Sequence, residues 1–187
     1  MPTLTTPIET ARLRLRPFAE TDLDALANIL ARPDVTQYLD TEPMTRQEVA
    51  STLQQRITMN RLNQEGDNLM LAIEVKETGQ LIGSANLIWL SEEYAQGEIG
   101  YTLHPDHQGH GYASEATRAL MDYGFREIEL HRIVGCCDDR NERSIRLLER
   151  VGMRREAHFR QIEWVKGEWC SQFVYAILRE EWEARQR

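Results

Sequence analysis

After Asp67 the apolar residues change period, and that change limits the chain to a mixed α/β fold. Before it, Leu23, Leu26, Ala27 and Leu30 recur at i, i+3, i+4 and i+7, and Val49, Ala50, Leu53 and Ile57 form a second stripe. These are the buried faces of two amphipathic helices. The first is predicted to stop before Pro33. The second is predicted to start at a capping box in Thr45-Arg46-Gln47-Glu48. After Asp67, Leu69, Leu71, Ile73 and Val75 alternate, as in a half-buried strand. The turn Lys76–Gln80 and the run Leu81–Leu90 complete a hairpin.

The remaining elements follow the same logic. Thr10–Pro17 reads as an N-terminal strand and Glu98–Leu103 as a strand ending at His104-Pro105. A long helix follows Gly111, with Ala113, Ala116, Leu120, Tyr123 and Gly124 on one face. Ile133–Cys137 suits a buried strand. Asn141–Val151 is helical and Gly152 ends it. Arg155–Val165 and Trp169–Leu178 are two strands joined by Lys166-Gly167-Glu168. The order is β, α, α, three strands, α, β, α, two strands, which predicts one mixed sheet flanked by helices. The 187 residues suit a single domain over 1–187.

Charge narrows the partners. Lys and Arg total 22 against 30 Asp and Glu, a net charge of −8. A nucleic-acid binder carries a basic surface, so no nucleic-acid partner is expected. No apolar run approaches the roughly 18–20 residues that span a bilayer, so no membrane partner is expected either. The opening MPTLTTPIETARLRLRPF lacks the apolar heart of a signal peptide. Three cysteines without metal spacing then point to reduced thiols and a cytoplasmic protein. Cys136 and Cys137 read as inert core residues. His104, His107 and His110 share a Pro/Gly loop without tetrahedral ligand spacing, so no metal site is expected. A monomer and a homodimer are both open.

The chemistry concentrates in Gly100–Ala113, where a strand ends, a glycine-containing loop turns and a helix begins. Unpaired N–H groups at such a helix start, together with its dipole, make an anion site. Glycines let a bulky phosphate approach the backbone. A Walker loop is excluded, because no Gly-Lys-Ser/Thr ending is present. The dinucleotide fingerprint fails at Ser114, where its third glycine belongs.

Gln108-x-x-Gly111-x-Ala113 resembles the acetyl-CoA signature of the GNAT superfamily of N-acetyltransferases. Thr10–Pro17 with Asp22 is similar to the opening of its ribosomal-protein-type (RimJ/RimL-type) branch. Ile99-Gly100-Tyr101, Asn141-x-x-Ser144, Val151-Gly152-Met153 and Tyr175–Leu178 fit later landmarks, so the resemblance spans about residues 8–182. It implies the GNAT fold: a single mixed, mostly antiparallel sheet with a splayed parallel central pair. It also implies acetyl-CoA as cosubstrate, with no metal. Backbone groups of Thr102 and Leu103 would bond the pantetheine, and the N–H groups of Gln108, Gly109, His110, Gly111, Tyr112 and Ala113 the pyrophosphate. Asn141 would bond the pantetheine, although Asn is also a favoured helix cap. Ser144 would lie near the sulfur. His110 stands where many relatives carry Lys or Arg.

The implied reaction is acetyl transfer to a primary amine: a protein N-terminal amine such as that of a ribosomal protein, a polyamine, or another small-molecule amine. An ammonium near pKa 10 must first lose a proton. Leu148 stands where many relatives have a tyrosine acid, which leaves Ser144, Glu163 and Glu98 as catalytic candidates. Among the carboxylates the resemblance ranks Glu163, on the penultimate strand, above Glu98. The alternative is a non-catalytic acyl-CoA-binding or regulatory module on the same scaffold.

Overall fold

The computed structural model describes residues 6–185. In chain order the elements are β1 (Ile8–Glu9), β2 (Leu13–Pro17), α1 (Leu23–Leu30), α2 (Pro33–Thr36), α3 (Arg46–Thr58), β3 (Asn68–Val75), β4 (Leu81–Ser91), β5 (Gln96–Leu103), α4 (Tyr112–Arg126), β6 (Arg132–Asp138), α5 (Glu142–Arg150), β7 (Arg154–Val165), β8 (Glu168–Leu178) and α6 (Arg179–Ala184). All eight strands join one sheet in the order β1-β2-β3-β4-β5-β6-β8-β7. Neighbours pair antiparallel except β5 and β6, which run parallel. This is the mixed sheet with a central parallel pair that the sequence predicts.

Two apolar layers hold the helices on. One joins Leu71, Ile73, Leu87, Ile99, Leu120 and Phe125, under α4 and α5. The other joins Phe18, Leu26, Leu30, Val49, Leu53 and Ala72, under α1 and α3. The capping box on α3 forms as predicted: the Glu48 N–H donates to Thr45 Oγ1, and Glu48 Oε2 accepts from the Thr45 N–H at 2.7 Å. At the edge of the second layer, Asp22 and Glu74 are buried acids that share Arg16 at 2.8 and 2.6 Å. Their charges are tolerated there because each carboxylate is paired.

Four local expectations need correction. The first long strand begins at Leu13, not Thr10, because Thr10–Arg12 turn the chain between β1 and β2. The first helix does stop at Leu30, before Pro33, as predicted, but Pro33 also opens an unpredicted short helix. The proline occupies the first turn of α2, where its missing N–H costs nothing. The short β1 and the helix α6 are additional. In α6, Trp182 is buried against Phe125, with ring centroids 6.1 Å apart.

Candidate functional site

The site begins where two strands part. β5 and β6 pair only at Gln96–Arg132, Gly97–Ile133 and Glu98–Val134. Beyond Glu98, β5 runs on to Leu103 with β4 alone as partner, matching Thr102 to Ser84 and Leu103 to Gly83. Backbone groups of Ile99–Leu103 that point away from β4 therefore face an opening between the strands. Tyr101 reaches across it, and its hydroxyl donates to the Ser144 carbonyl at 3.4 Å.

The glycine loop lies at the end of this opening. His104 Nδ1 accepts from the Asp106 N–H, and a 3₁₀ turn covers Pro105–His107. The Gln108 N–H closes that turn on the Pro105 carbonyl at 3.0 Å, so this amide is already engaged. Gln108 acts instead through its side chain. Nε2 donates to the Leu103 carbonyl at 3.2 Å, and Oε1 accepts from Arg143 of α5. Gly109 and Gly111 both have φ of +81°, the left-handed conformation that disfavours side chains. Space above Gly109 is open: a Cβ there would meet nothing within 4 Å. Gly111 is the N-cap of α4, so the first-turn N–H groups of Tyr112 and Ala113 have no partner inside the helix. With the α4 dipole behind them, these donors and those of Gly109 to Gly111 suit a pyrophosphate.

Two residues outside the candidate set brace this loop from behind. The Arg12 guanidinium donates to the His110 carbonyl at 2.9 Å, stacks 4.5 Å from the Tyr112 ring centroid and pairs with Glu115 at 2.6 Å. Glu115 also takes the Thr10 hydroxyl at 2.6 Å and the Arg12 N–H at 2.8 Å. Neither residue advertises this in sequence, because the partners lie about a hundred positions apart.

α5 supplies the opposite wall. Asn141 caps it, with Oδ1 accepting from the Ser144 N–H at 3.1 Å. The cap uses the oxygen and leaves the side-chain NH₂ to donate elsewhere. Ser144 is half-buried in the first turn. Leu148 is buried against Gly135: a Cβ on that glycine would lie 2.9 Å from Leu148 Cδ2.

Gly135 and Ile99 thus face α5. Alternation along each strand sends Glu98 and Cys136 to the other face, the one α1 and α3 cover. Glu98 is half-buried there, and burial pushes its carboxyl above the usual value. Burial also lifts the Cys136 thiol to about 11, with smaller contributions from Glu98 and Glu163. Glu163 is exposed on β7, just after a bulge at which Gln161 has φ of +51°. It lines a cleft of about 80 Å³ with Tyr38, Asp40, Asp138 and Lys166. Lys166 Nζ closes the rim by donating to the Thr36 carbonyl at 2.6 Å. Glu98 thus lies on the face of β5 opposite Ile99 and Tyr101, and Glu163 lies two strands from β6, on the sheet edge.

The chain and its fold have recognisable relatives. A family model described as an acetyltransferase (GNAT) domain matches residues 12–154. The uncharacterized N-acetyltransferase p20 of Bacillus licheniformis is 35% identical over 173 residues, 92% of this chain and 96% of its own. A crystal structure of a GNAT-family acetyltransferase from Bacillus anthracis superposes with a TM-score of 0.84 at 29% identity, covering 94% of this chain and 99% of the other. RimL, a ribosomal alpha-N-protein acetyltransferase in complex with coenzyme A, shares the fold with a TM-score of 0.80 at 24% identity, covering 92% of this chain and 97% of its own.

Proposed function

The chain belongs to the acetyltransferase (GNAT) family, and on that premise we propose that it moves the acetyl group of acetyl-CoA to the primary amine of a RimJ/RimL-like acceptor, such as a protein N-terminus. One observation carries the reading. The anion loop and a half-buried carboxyl lie at the same strand opening, on opposite faces of the sheet.

Acetyl-CoA supplies the activated thioester. The N–H groups of Gly109 to Ala113 hold its pyrophosphate, and Gln108 orients the loop rather than donating its own amide. The backbone at Thr102 and Leu103 and the side-chain NH₂ of Asn141 take the pantetheine. In the transfer the amine forms a C–N bond as the C–S bond breaks. A base must first take the ammonium proton, and a group poised above the ordinary carboxylate range is better matched to neutral pH. Burial gives Glu98 that character. We therefore rank Glu98 above Glu163, reversing the order taken from sequence, and keep Glu163 as the carboxylate that steers the ammonium into the cleft. Ser144, half-buried at the start of α5, relays to the leaving thiolate the proton that the nitrogen sheds on becoming an amide, and so ends as a hydroxyl again. Three free cysteines agree with a reducing, cytoplasmic setting.

The test is release of free CoA with a panel of N-terminal peptides, spermidine and aminoglycosides side by side. Amine-dependent release supports transfer. Tight acetyl-CoA binding without release from any amine supports the non-catalytic alternative.

A further inference from the structure

Arg56 stands where α3 calls for an apolar side chain. Val49 and Leu53 are buried on that stripe, and Arg56 continues it at i, i+4, i+7. Its side chain runs under the helix layer to the sheet. Nη1 donates to Ser84 Oγ at 3.4 Å, and the guanidinium lies 5.4 Å from the Phe18 ring centroid. Arg12, Arg14, Arg16, Arg132, Arg140 and Arg154 each pair with a carboxylate. Arg56, like Arg61, Arg118, Arg143 and Arg155, pairs with no carboxylate among the described residues, but its burial pushes its pKa down to about 10. Its other nitrogens are not sealed in. Among the described residues the fully buried side-chain polar atom without a partner is Thr117 Oγ1, so the free guanidinium N–H groups still touch solvent. A cation held at such cost, with donors left over, is built for an anion that arrives from outside.

Its position says which anion. Ser84 pairs with Thr102, which lies four residues past Glu98 on the same face of β5. Between them lie Gly100 and Asn86, whose side chain covers the glycine: a Cβ on Gly100 would lie 2.6 Å from Asn86 Oδ1. At about 3.4 Å per residue, Glu98 and Thr102 are roughly 13 Å apart along the strand, and side-chain reach shortens the span to about 10 Å. That is two to three residues of extended peptide. Resting on the reading that the amine is delivered at Glu98, we infer that Arg56 receives a carboxylate of the acceptor, which is a peptide N-terminus with an acidic side chain at its second or third residue. A polyamine would instead bring a second positive charge against the guanidinium.

The experiment compares short amidated peptides that carry Asp or Glu at the second or third residue with the matching Asn or Gln peptides. Steady-state CoA release is read for the wild type, Arg56→Gln and Arg56→Lys, with thermal melts as the folding control. In the wild type the acidic peptides should be preferred about tenfold or more in kcat/KM, mostly through KM, the scale of a charge-assisted hydrogen bond. Arg56→Gln should bring the acidic-to-amide ratio to within about threefold of one, and Arg56→Lys should keep part of it. Equal use of both peptides by the wild type, or a preference that survives in folded Arg56→Gln, overturns the inference while leaving the transferase reading intact. If no peptide releases CoA, the reading of a peptide N-terminus as acceptor fails instead. Calorimetry of the same peptides then decides on Arg56: Arg56-dependent binding of the acidic member supports the inference, and equal or absent binding overturns it.

Discussion

Replacing Glu98 by Gln keeps the shape of the side chain and removes its charge and its basic oxygens. The two losses act in opposite directions. Burial raises the Glu98 pKa above the ordinary 4.5, so the native state holds this proton more tightly than the unfolded chain does. Between the unfolded and folded pKa values the native state binds more protons, and stability falls as pH rises through that window. The penalty is complete above the folded value and absent below the unfolded one. Glu98→Gln should therefore melt above the wild type at pH 7.5, with the gap closing by about pH 4. Turnover should move the other way. Loss of a general base lowers kcat by about 10²–10⁴, or about 2.7–5.4 kcal/mol at 1.36 kcal/mol per tenfold. The deficit should shrink at high pH, where the amine is deprotonated without help. Glu163→Gln is the comparison. Its side chain is exposed, so no stability gain is expected, and kcat should fall by less than about tenfold. Differential scanning calorimetry from pH 4 to 8 and CoA-release kinetics on the same samples make the measurement. Near-normal turnover in Glu98→Gln with a collapse in Glu163→Gln would refute the assignment of the base. A flat Tm difference across pH would refute the desolvation argument beneath it.

Gly111→Val puts a β-branched side chain at φ +81°, so acetyl-CoA binding by calorimetry should weaken at least about tenfold. Its circular dichroism spectrum should stay native, at a stability cost of about 1–2 kcal/mol. Asn141→Asp keeps a good cap, so the melt should move by less than about 0.5 kcal/mol. Its acetyl-CoA KM should nevertheless rise, because the side-chain NH₂ is gone. Leu148→Tyr should not restore a tyrosine acid. It over-packs the Gly135 contact and should cost about 1–3 kcal/mol in denaturant melts without raising kcat.

The fold was legible wherever one period ran long enough to declare itself. Leu69, Leu71, Ile73 and Val75 alternate and are buried as predicted, although Ala72 and Glu74 between them are buried too, and Thr45 with Glu48 closes the predicted cap. What was missed depends on distant partners. Two residues of β1 carry no period, and α6 is fixed by Trp182 meeting Phe125 from the far end of the chain. The glycine loop was readable because glycine and a helix start are local signals. Its brace was not, because Arg12 and Glu115 become neighbours only after folding. The same holds for the charged groups. Sequence shows Glu98, Glu163 and Arg56 alike as ionisable, and only packing makes Glu98 half-buried, Glu163 exposed and Arg56 a cation without a carboxylate among the described residues.

Among the described residues, three matched pairs, with the His131 and Arg132 N–H groups on the Ala95 carbonyl beside them, join the strands β1–β5 to the strands β6–β8 within the sheet. In mechanical terms the sheet is two plates on a short zip, with α4 as the splint, since Gly124 packs against both Leu87 and Ile133. A strand that lacks a neighbour over half its length invites another extended chain to lie beside it. On the proposed reading the pantetheine arm is such a chain, so a cosubstrate that lengthens the zip would also stiffen the whole molecule. Saturation at a hundred times Kd is worth about 2.7 kcal/mol of folding free energy. That gain should appear as slower amide exchange along Ile99–Leu103, at the place where one plate would otherwise move against the other.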